Sequence, residues 1–563
     1  MHVAPRFPAN PMSSSILGGL ASLGGFEDRR WRDRQLSKLT GPTQRVVIRA
    51  AESAAAAADS ANIKNRSANI AVREGVSELL VLPGLPAGAS ECRISKSATA
   101  MSDRFLKSYA KLSAAGHEPA VILARLLDAV ARVCVPWIST GPMQKLLKKD
   151  DPSEREIESQ IARLTCPRWW RRQLRRACAR RLEHFLRRHG EVSRRAGAYV
   201  SGYALRRHEW RKAETWALLS AMVAISDMGD EVPLSDVAAA GQANPRNRAT
   251  ELILRMRGYD EVAEKMGLQG AFFTLTAPSR FHARLSRSGE QNPKYDGSSP
   301  VDAQAWLNTT WERIRIAWHD EGIRAFGFRV AEPHHDGTPH WHLLLHFRPD
   351  QSERAWQIFE EKALRESPDE RGANKRRATR VVIDPAKGTG AGYIAKYVAK
   401  NVLGEGLGPE GDIEAGVDGS EGARRVAAWA SLWGIRQFQQ IGSVSVTVYR
   451  ELRRVRESLE DMDIPELEAL RAAADRGEWG EFVELMGGPF VARQDAPVRA
   501  WMVARESPGV YGDVIERLQG IVMRTIGITA RVITRTKNWR IERAAPVAAT
   551  GPPRSGGALD LCQ

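Results

Sequence analysis

Between residues 266 and 404 the apolar positions change rhythm several times, and each change marks an element. "AFFTLTAP" (271–278) is a short aromatic and β-branched run closed by proline, the pattern of a buried strand. "DAQAWLNTTWERIRIAWHDEG" (302–322) places Trp306, Trp311, Ile314 and Trp318 along one side, which predicts a helix. "IRAFGFRVAE" reads as a strand, the Asp-Gly of "HHDGTPH" as a hairpin turn, and "HWHLLLHF" as the partner strand. "ERAWQIFEEKALRE" returns to helical spacing and "RATRVVIDP" to a strand. Gly388, Gly390 and Gly392 then lead into a helix at "YIAKYVAKNV". The order β–α–β–β–α–β–α predicts a compact α+β domain with a mainly antiparallel sheet.

The flanks have a different texture. Residues 1–100, with Gly, Ser and Ala runs such as "AAESAAAAADSA", read as a loosely ordered or weakly helical arm. Residues 101–265 read as mostly helical, with Leu106, Tyr109 and Leu112 and then Val121, Leu123, Leu126, Leu127 and Val130 at helical spacing. Residues 405–423 are Gly- and acid-rich, a flexible loop. Residues 424–545 mix helices with strands at "SVSVTVYR" (443–450) and near "GIVMRTIG" and "ITARVITRT". Residues 546–563 should be a disordered tail.

Charge adds a partner. The net charge of +16 and pI near 9.8 favour a polyanion, and nucleic acid over membrane because no long basic amphipathic anchor or membrane-spanning run accompanies them. The stretch "CPRWWRRQLRRACARRLEHFLRRHGEVSRR" concentrates the surplus with only Glu183 and Glu191 in opposition. It reads as a DNA-binding helix, with Arg171, Arg172, Arg175 and Arg176 on phosphates and Trp169, Trp170, Leu174, Leu182 and Phe185 making apolar contacts. The five cysteines are scattered and contain no C-x-x-C pair, so neither a zinc ribbon nor a disulfide framework is indicated, and a reducing cytoplasm fits. The N-terminus makes a poor signal peptide. No G-x-x-x-x-G-K-[ST] phosphate loop occurs, so the usual nucleotide-triphosphate motor is excluded.

Five of the twelve histidines fall within "EPHHDGTPHWHLLLHF" (332–347). In a strand His340 and His342 share a face while Trp341, Leu343 and Leu345 take the other. Glu332, ending the preceding strand, can add a carboxylate. Two histidines and one carboxylate leave coordination positions open for substrate, as a catalytic metal requires. His334, His335 and His346 are weaker candidates. By itself this pattern also suits a structural metal.

"YIAKYVAK" supplies the second element. Tyr393 and Tyr397, at i and i+4, share a helical face, with Lys396 and Lys400 bordering it and Ile394 and Val398 turned to a core. A phenol ionises near pH 10 and is a poor nucleophile unless a cation polarises the phosphate under attack and nearby lysines favour the phenolate.

His340-Trp341-His342 resembles the histidine–hydrophobic–histidine (HUH) motif of rolling-circle replication initiators, and Tyr393 and Tyr397 resemble their two-tyrosine motif. With "FFTLTAPSRFHA", "NPKYDG", "EPHHDGTPHWHLLLHF", "GYIAKYVAKN" and "RQFQQIGSVSVTVYRELRR", residues 240–455 resemble the bacteriophage replication gene A protein (GPA) family of temperate phages and prophages. The resemblance implies that 266–404 is an HUH nickase domain that starts rolling-circle replication at an origin. His340 and His342 would bind Mg²⁺ or Mn²⁺. The tyrosines would form 5′-phosphotyrosine links and leave a 3′-OH primer. Origin DNA, a host helicase and a host polymerase would be its partners, in the bacterial cytoplasm at the nucleoid. A relaxase or single-strand transposase of the same superfamily, and a non-catalytic metal-stabilised DNA-binding protein, are the alternatives.

Overall fold

The computed structural model describes residues 18–133, 137–384, 386, 388–404, 412, 416–460, 463–525 and 528–544. The tail expected at 546–563, the first seventeen residues of the N-terminal arm and most of the acidic loop expected at 405–423 lie outside them. Among the described residues no helix is long and apolar enough to cross a membrane.

The N-terminal arm is not loosely ordered where it is described. Helices α1 (Phe26–Leu36), α2 (Gly41–Ala56) and α3 (Ala61–Leu79) join α4 (Glu91–Ala114), α5 (Pro119–Arg132), α6 (Glu154–Leu164) and α7 (Pro167–Arg188) around one core. The alanine-rich stretch that read as loosely ordered supplies part of a contact surface. Val47, Ala51 and Ala55 of α2 and Ala68, Val72 and Val76 of α3 are buried at helical spacing, where small side chains let the two helices pack closely. Buried Arg32 ties α1 down by donating to the carbonyls of Leu20 and Leu23.

Helix α8 (Gly202–Ser220) follows, then two short strands, Met222–Ser226 and Glu231–Pro233, that sequence periodicity did not reveal. The two pair with each other, and Trp539–Arg543 pairs with the other edge of Met222–Ser226, so the end of the described chain returns to its N-terminal half. Helix α9 (Pro245–Lys265) leads into the central sheet.

That sheet has five antiparallel strands in the order β4-β1-β3-β2-β5: β1 (Gln269–Thr276), β2 (Phe326–Pro333), β3 (Pro339–Phe347), β4 (Ala378–Val382) and β5 (Phe438–Ile441). Trp341, Leu343, Leu345 and Phe347 of β3 pack beneath α10 (Pro300–Asp320) and α11 (Pro349–Leu364), against Leu307, Trp311, Ile314 and Phe359. The opposite face carries Phe272, Phe326, Phe328, Val330 and Leu344 and is covered by α9 and α12 (Gly390–Val398). Helix α13 (Gly419–Trp433) leads to β5. The α+β architecture matches the strand and helix order expected for 266–404, but α9 and β5, from outside those limits, complete it.

"SVSVTVYR" is a correction. Val446–Leu452 is a short helix, not a strand, with the Ser445 hydroxyl accepting from the Val448 amide at 3.4 Å. The β-branched alternation suggested a strand, but Val448, Tyr449 and Leu452 bury a helical face. The strands near "GIVMRTIG" and "ITARVITRT" form as expected, as Glu516–Thr525 and Ile528–Ile533, beside a further strand at Val498–Ala504.

One side chain joins the helical half to the sheet. Arg187, at the end of α7, is buried in the β2–β3 turn, where its Nε donates to the Asp336 carbonyl at 2.7 Å. Its Nη2 donates to the Phe281 carbonyl (2.6 Å), Thr338 Oγ1 (2.7 Å) and Asp336 Oδ2 (3.2 Å). Its Nη1 donates to the Ser298 carbonyl at 2.9 Å and to the Tyr295 hydroxyl at 3.2 Å. The carboxylate of fully buried Asp336 also accepts from the amides of Ala283 (2.8 Å) and Thr338 (3.1 Å). Burial works to raise the Asp336 pKa, but the Arg187 guanidinium and His282 outweigh it and hold the carboxyl well below the usual range.

Truncating one member of a buried pair strands the other, so Arg187→Ala should cost about 3–5 kcal/mol, read from the urea-unfolding midpoint. Because the folded pKa of Asp336 is depressed, its stabilisation is fully present above the unfolded value of about 3.9 and is lost as pH falls through the folded value. The acid limb of the wild-type stability curve should therefore flatten in Arg187→Ala. A second expectation concerns Gly327 in β2, at φ +153°, where a Cβ would lie 1.9 Å from the Leu344 carbonyl oxygen. Backbone cannot yield as a flexible side chain would, so Gly327→Ala should destabilise by more than about 3 kcal/mol in the same assay.

Candidate active site

Strand register builds the site. Across the β2–β3 hairpin Glu332 pairs with His340 and Val330 with His342, while across β1–β3 Thr274 pairs with His342. Directly opposed residues of antiparallel strands share a face, so both imidazoles and the carboxylate project together. His340 Nε2 and His342 Nε2 are 3.0 Å apart, and Glu332 Oε2 lies 3.9 Å from the first and 3.6 Å from the second. The three ligand atoms fall within 4.8 Å of one another, the convergence one cation needs.

Surrounding groups orient these three. Thr274 Oγ1 lies 3.1 Å from His342 Nδ1, leaving Nε2 to face the cluster. Asn401 Nδ2 donates to Glu332 Oε1, and Lys400 Nζ stands 3.9 Å from Glu332 Oε2 and 3.8 Å from Asp412 Oδ1. The Tyr199 hydroxyl donates to Asp412 at 2.9 and 3.0 Å. Burial works to raise the Glu332 pKa, but His342, Lys400 and Asn401 outweigh it and keep the carboxyl below its ordinary value. Burial, with His334, His342 and Lys400 nearby, pushes His340 well below its ordinary value. An anionic carboxylate beside a neutral imidazole is the protonation state that metal ligation requires.

The tyrosine helix reaches the same face. Its N-terminus is fixed by Asp260 of α9, whose Oδ2 accepts from the Ala391 amide at 2.6 Å, and by Thr389 Oγ1, which accepts from the Gly392 amide at 3.2 Å. Residue 390 must be glycine for this contact, since a Cβ there would lie 2.6 Å from Asp260 Oδ1. Ile394 and Val398 are buried, as their spacing predicted. Phe272 of β1 lies among the functional rings: its centroid is 5.4 Å from His342, 5.5 Å from Tyr397 and 5.9 Å from Tyr393. Tyr397 is half-buried, 4.5 Å from His342 between ring centroids, whereas Tyr393 is 44% exposed. Lys396 is exposed beside them. After Val398 the helix passes through a π turn, Ala399–Leu403, which carries Lys400 and Asn401 to Glu332.

Sequence reasoning named Glu332, His340, His342, Tyr393, Tyr397, Lys396 and Lys400, and the fold draws the metal triad, Tyr397 and Lys400 together. His334 stacks on His340 with centroids 4.0 Å apart, and His346 faces Asp260 at 3.6 Å; neither belongs to the triad. The supporting residues Thr274, Asn401, Asp412 and Asp260 were missed. Asn401 carried a usable signal, four residues beyond Tyr397; the others are defined only by strand or helix packing.

The arginines of α7 are not at this site. Arg171 is exposed, Arg172 is exposed with Nη2 3.1 Å from the Tyr511 hydroxyl, Arg175 is ion-paired with Glu91, and Arg176 is exposed. Further along the helix Arg180 donates to the carbonyls of Leu432 and Trp433 at the end of α13, and Arg181 to that of Glu78. Part of the basic surplus therefore caps carbonyls rather than meeting solvent. Trp169, Trp170, Leu174, Leu182 and Phe185 are all buried, as expected.

The chain is similar in sequence to known proteins. The chain is 39% identical to the replication gene A protein of Escherichia phage 186 over 428 residues, 74% of this chain and 61% of that protein. It is 32% identical to the probable replication protein P12 of Pseudoalteromonas phage PM2 over 545 residues, 93% of this chain and 84% of that protein. It is also 34% identical, over 69% of this chain and 50% of the relative, to a probable replication endonuclease from a prophage-like region of Salmonella paratyphi A. No solved structure matches. The family model for bacteriophage replication gene A protein (GPA) matches residues 92–405, a span running from α4 through the π turn. The match covers more than half of the chain, and the chain belongs to the bacteriophage replication gene A protein (GPA) family.

Proposed function

We propose that the chain is a metal-dependent single-strand DNA endonuclease and strand-transferase that initiates rolling-circle replication, with Tyr393 and Tyr397 as nucleophiles. The carrying observation is the convergence of Glu332, His340 and His342 on a sheet face shared with Tyr397. The donor set fits a divalent cation: two imidazole nitrogens and one carboxylate oxygen, leaving positions open for phosphate. Mg²⁺ or Mn²⁺ would serve, and the imidazoles favour Mn²⁺. When bound, the cation would polarise the scissile phosphate as a Lewis acid.

The chain's own residues would do the rest. Asn401 and Lys400 hold Glu332 toward the cluster, and Thr274 fixes the His342 ring. A tyrosine oxygen attacks phosphorus and becomes joined to the 5′-phosphate. The 3′-oxygen leaves with the electrons of the broken P–O bond and takes a proton, giving a free 3′-OH. The lysine charges of the helix favour the phenolate. Because the ester keeps the bond energy, the reverse attack rejoins a strand without nucleotide triphosphate. Two tyrosines on one helical face allow a second cut while the first end is held. The 3′-OH would prime a host polymerase behind a host helicase, on origin DNA, in the bacterial cytoplasm at the nucleoid. The relative that bears the name probable replication endonuclease supports this reading.

Two expectations follow from this chemistry. Incubated with Mn²⁺ and a labelled pool of randomised single-stranded oligonucleotides, then denatured, the protein should carry label. EDTA or the Tyr393→Phe/Tyr397→Phe double variant should remove it, and Tyr397→Phe should reduce it more than Tyr393→Phe. DNA binding with no adduct would favour the non-catalytic alternative. In calorimetric titration with Mn²⁺ alone, His342→Ala should abolish measurable binding, while Asn401→Ala should weaken it about 10–100-fold through loss of outer-shell support. Equal binding by all three proteins would remove the triad as the metal site.

A further inference from the structure

Helices α7, α8 and α13 and the N-terminal end of α9 enclose an open groove of about 1400 Å³ that the chemistry above does not use. Cations from four helices line it, among them Arg176 of α7, Arg207, Arg211 and Lys212 of α8, Arg248 of α9 and Arg424 of α13. Glu183 is the one acidic side chain along it among the described residues; it is buried, and its carboxylate accepts from the Ser201 amide at 2.7 Å and hydroxyl at 2.5 Å. Arg176, Arg207, Arg211 and Lys212 have no ion-pair partner among the described residues. Burial, together with Arg207 and Arg175 close by, pushes the Arg211 pKa down to about 10, and Glu91, already paired with Arg175, only partly offsets these like charges.

The floor is different from the rim. Ala204, Ala427, Ala428 and Val402 form an apolar base, and Trp216, 51% exposed, stands along the same groove. Cations above an apolar floor with an accessible indole match a single nucleic-acid strand, phosphates to the rim and bases inward. A duplex keeps its base faces stacked inside and gives the indole nothing to stack on. The groove also communicates with the metal triad. Asn401, which lines it, donates to Glu332.

We propose that this groove binds single-stranded DNA flanking the scissile phosphate, with a base stacked on Trp216. The proposal rests on the endonuclease reading only for the identity of the polyanion.

The test uses the full chain in EDTA and fluorescence anisotropy with labelled oligothymidylate of about 16 nucleotides, beside a duplex of the same length. Arg176→Gln/Lys212→Gln alters two exposed side chains. It should weaken oligothymidylate binding and lower the slope of log K against log salt by about 1.4, about 0.7 for each lost phosphate contact. Trp216→Ala should weaken oligothymidylate binding roughly tenfold, the order of one base stack, with the salt slope and duplex binding unchanged. Wild-type affinity and slope in the first variant would overturn the groove. Equal weakening of duplex by Trp216→Ala would overturn the single-strand assignment. Adduct formation by wild type with Mn²⁺ is read separately. Its absence with the groove effects intact would sink the endonuclease reading alone, and its presence with wild-type binding by the groove variants would sink the groove alone.

Discussion

The geometry of the candidate site depends on one buried guanidinium. Arg187 arrives from the helical half and uses all of its donor groups on the turn between β2 and β3 and on the loop segments packed beside it. That turn sets the register of the hairpin, and register decides whether Glu332 stands opposite His340. A slip of one residue would send the carboxylate to the opposite face of the sheet, toward α10 and α11. The turn is further held by the Trp429 indole, which donates to the Gly337 carbonyl at 2.8 Å, and by the Tyr199 amide, which donates to the His335 carbonyl at 3.1 Å. A buried ion pair is not an efficient source of stability. Here it specifies one turn geometry and joins two halves of the chain.

A second constraint acts through the tyrosine helix. Asp260 fixes its start, Ile394 and Val398 hold its underside, and the π turn redirects its end toward Glu332. The helix is thereby referenced to both α9 and the sheet. Phe272 supplies a common flat surface for His342 and Tyr397, so both rings are positioned by the same strand. Lys400 illustrates a shared charge: its spacing suggested a partner for a phenol, and the fold also sets it between the carboxylates of Glu332 and Asp412. Through Asp412, the acid-rich segment after residue 404 reaches the site, a connection its composition does not suggest.

The basic surplus divides by burial. Toward the C-terminal end of α7, arginines turn inward and satisfy carbonyls, as Arg180, Arg181 and Arg187 do. Earlier on the helix and on α8 they border open space. Net charge alone cannot separate these populations, because a buried arginine with carbonyl partners and an exposed one awaiting phosphate count equally.

The sequence by itself determined the family and the element order of the central sheet domain. Alternation in β3 assigned His340 and His342 to one face and Trp341 and Leu343 to the other, and the i, i+4 spacing of Tyr393 and Tyr397 placed both on one side of a helix. These are local periodicities, set by backbone geometry, and they survive folding unchanged. The alanine-rich arm was misread because small side chains reveal a packing face only when a partner helix is present. Val446–Leu452 was misread because β-branched residues resemble a strand until burial decides between the two. Thr274, Asp260, Asp412 and the aromatic platform of Phe272 were decided only by tertiary structure. Their roles consist of contacts far apart along the chain, such as the 68 positions between Thr274 and His342, the 131 between Asp260 and Ala391 and the 213 between Tyr199 and Asp412. No spacing rule along the chain encodes such distances; the packing of the sheet, α9 and α12 does.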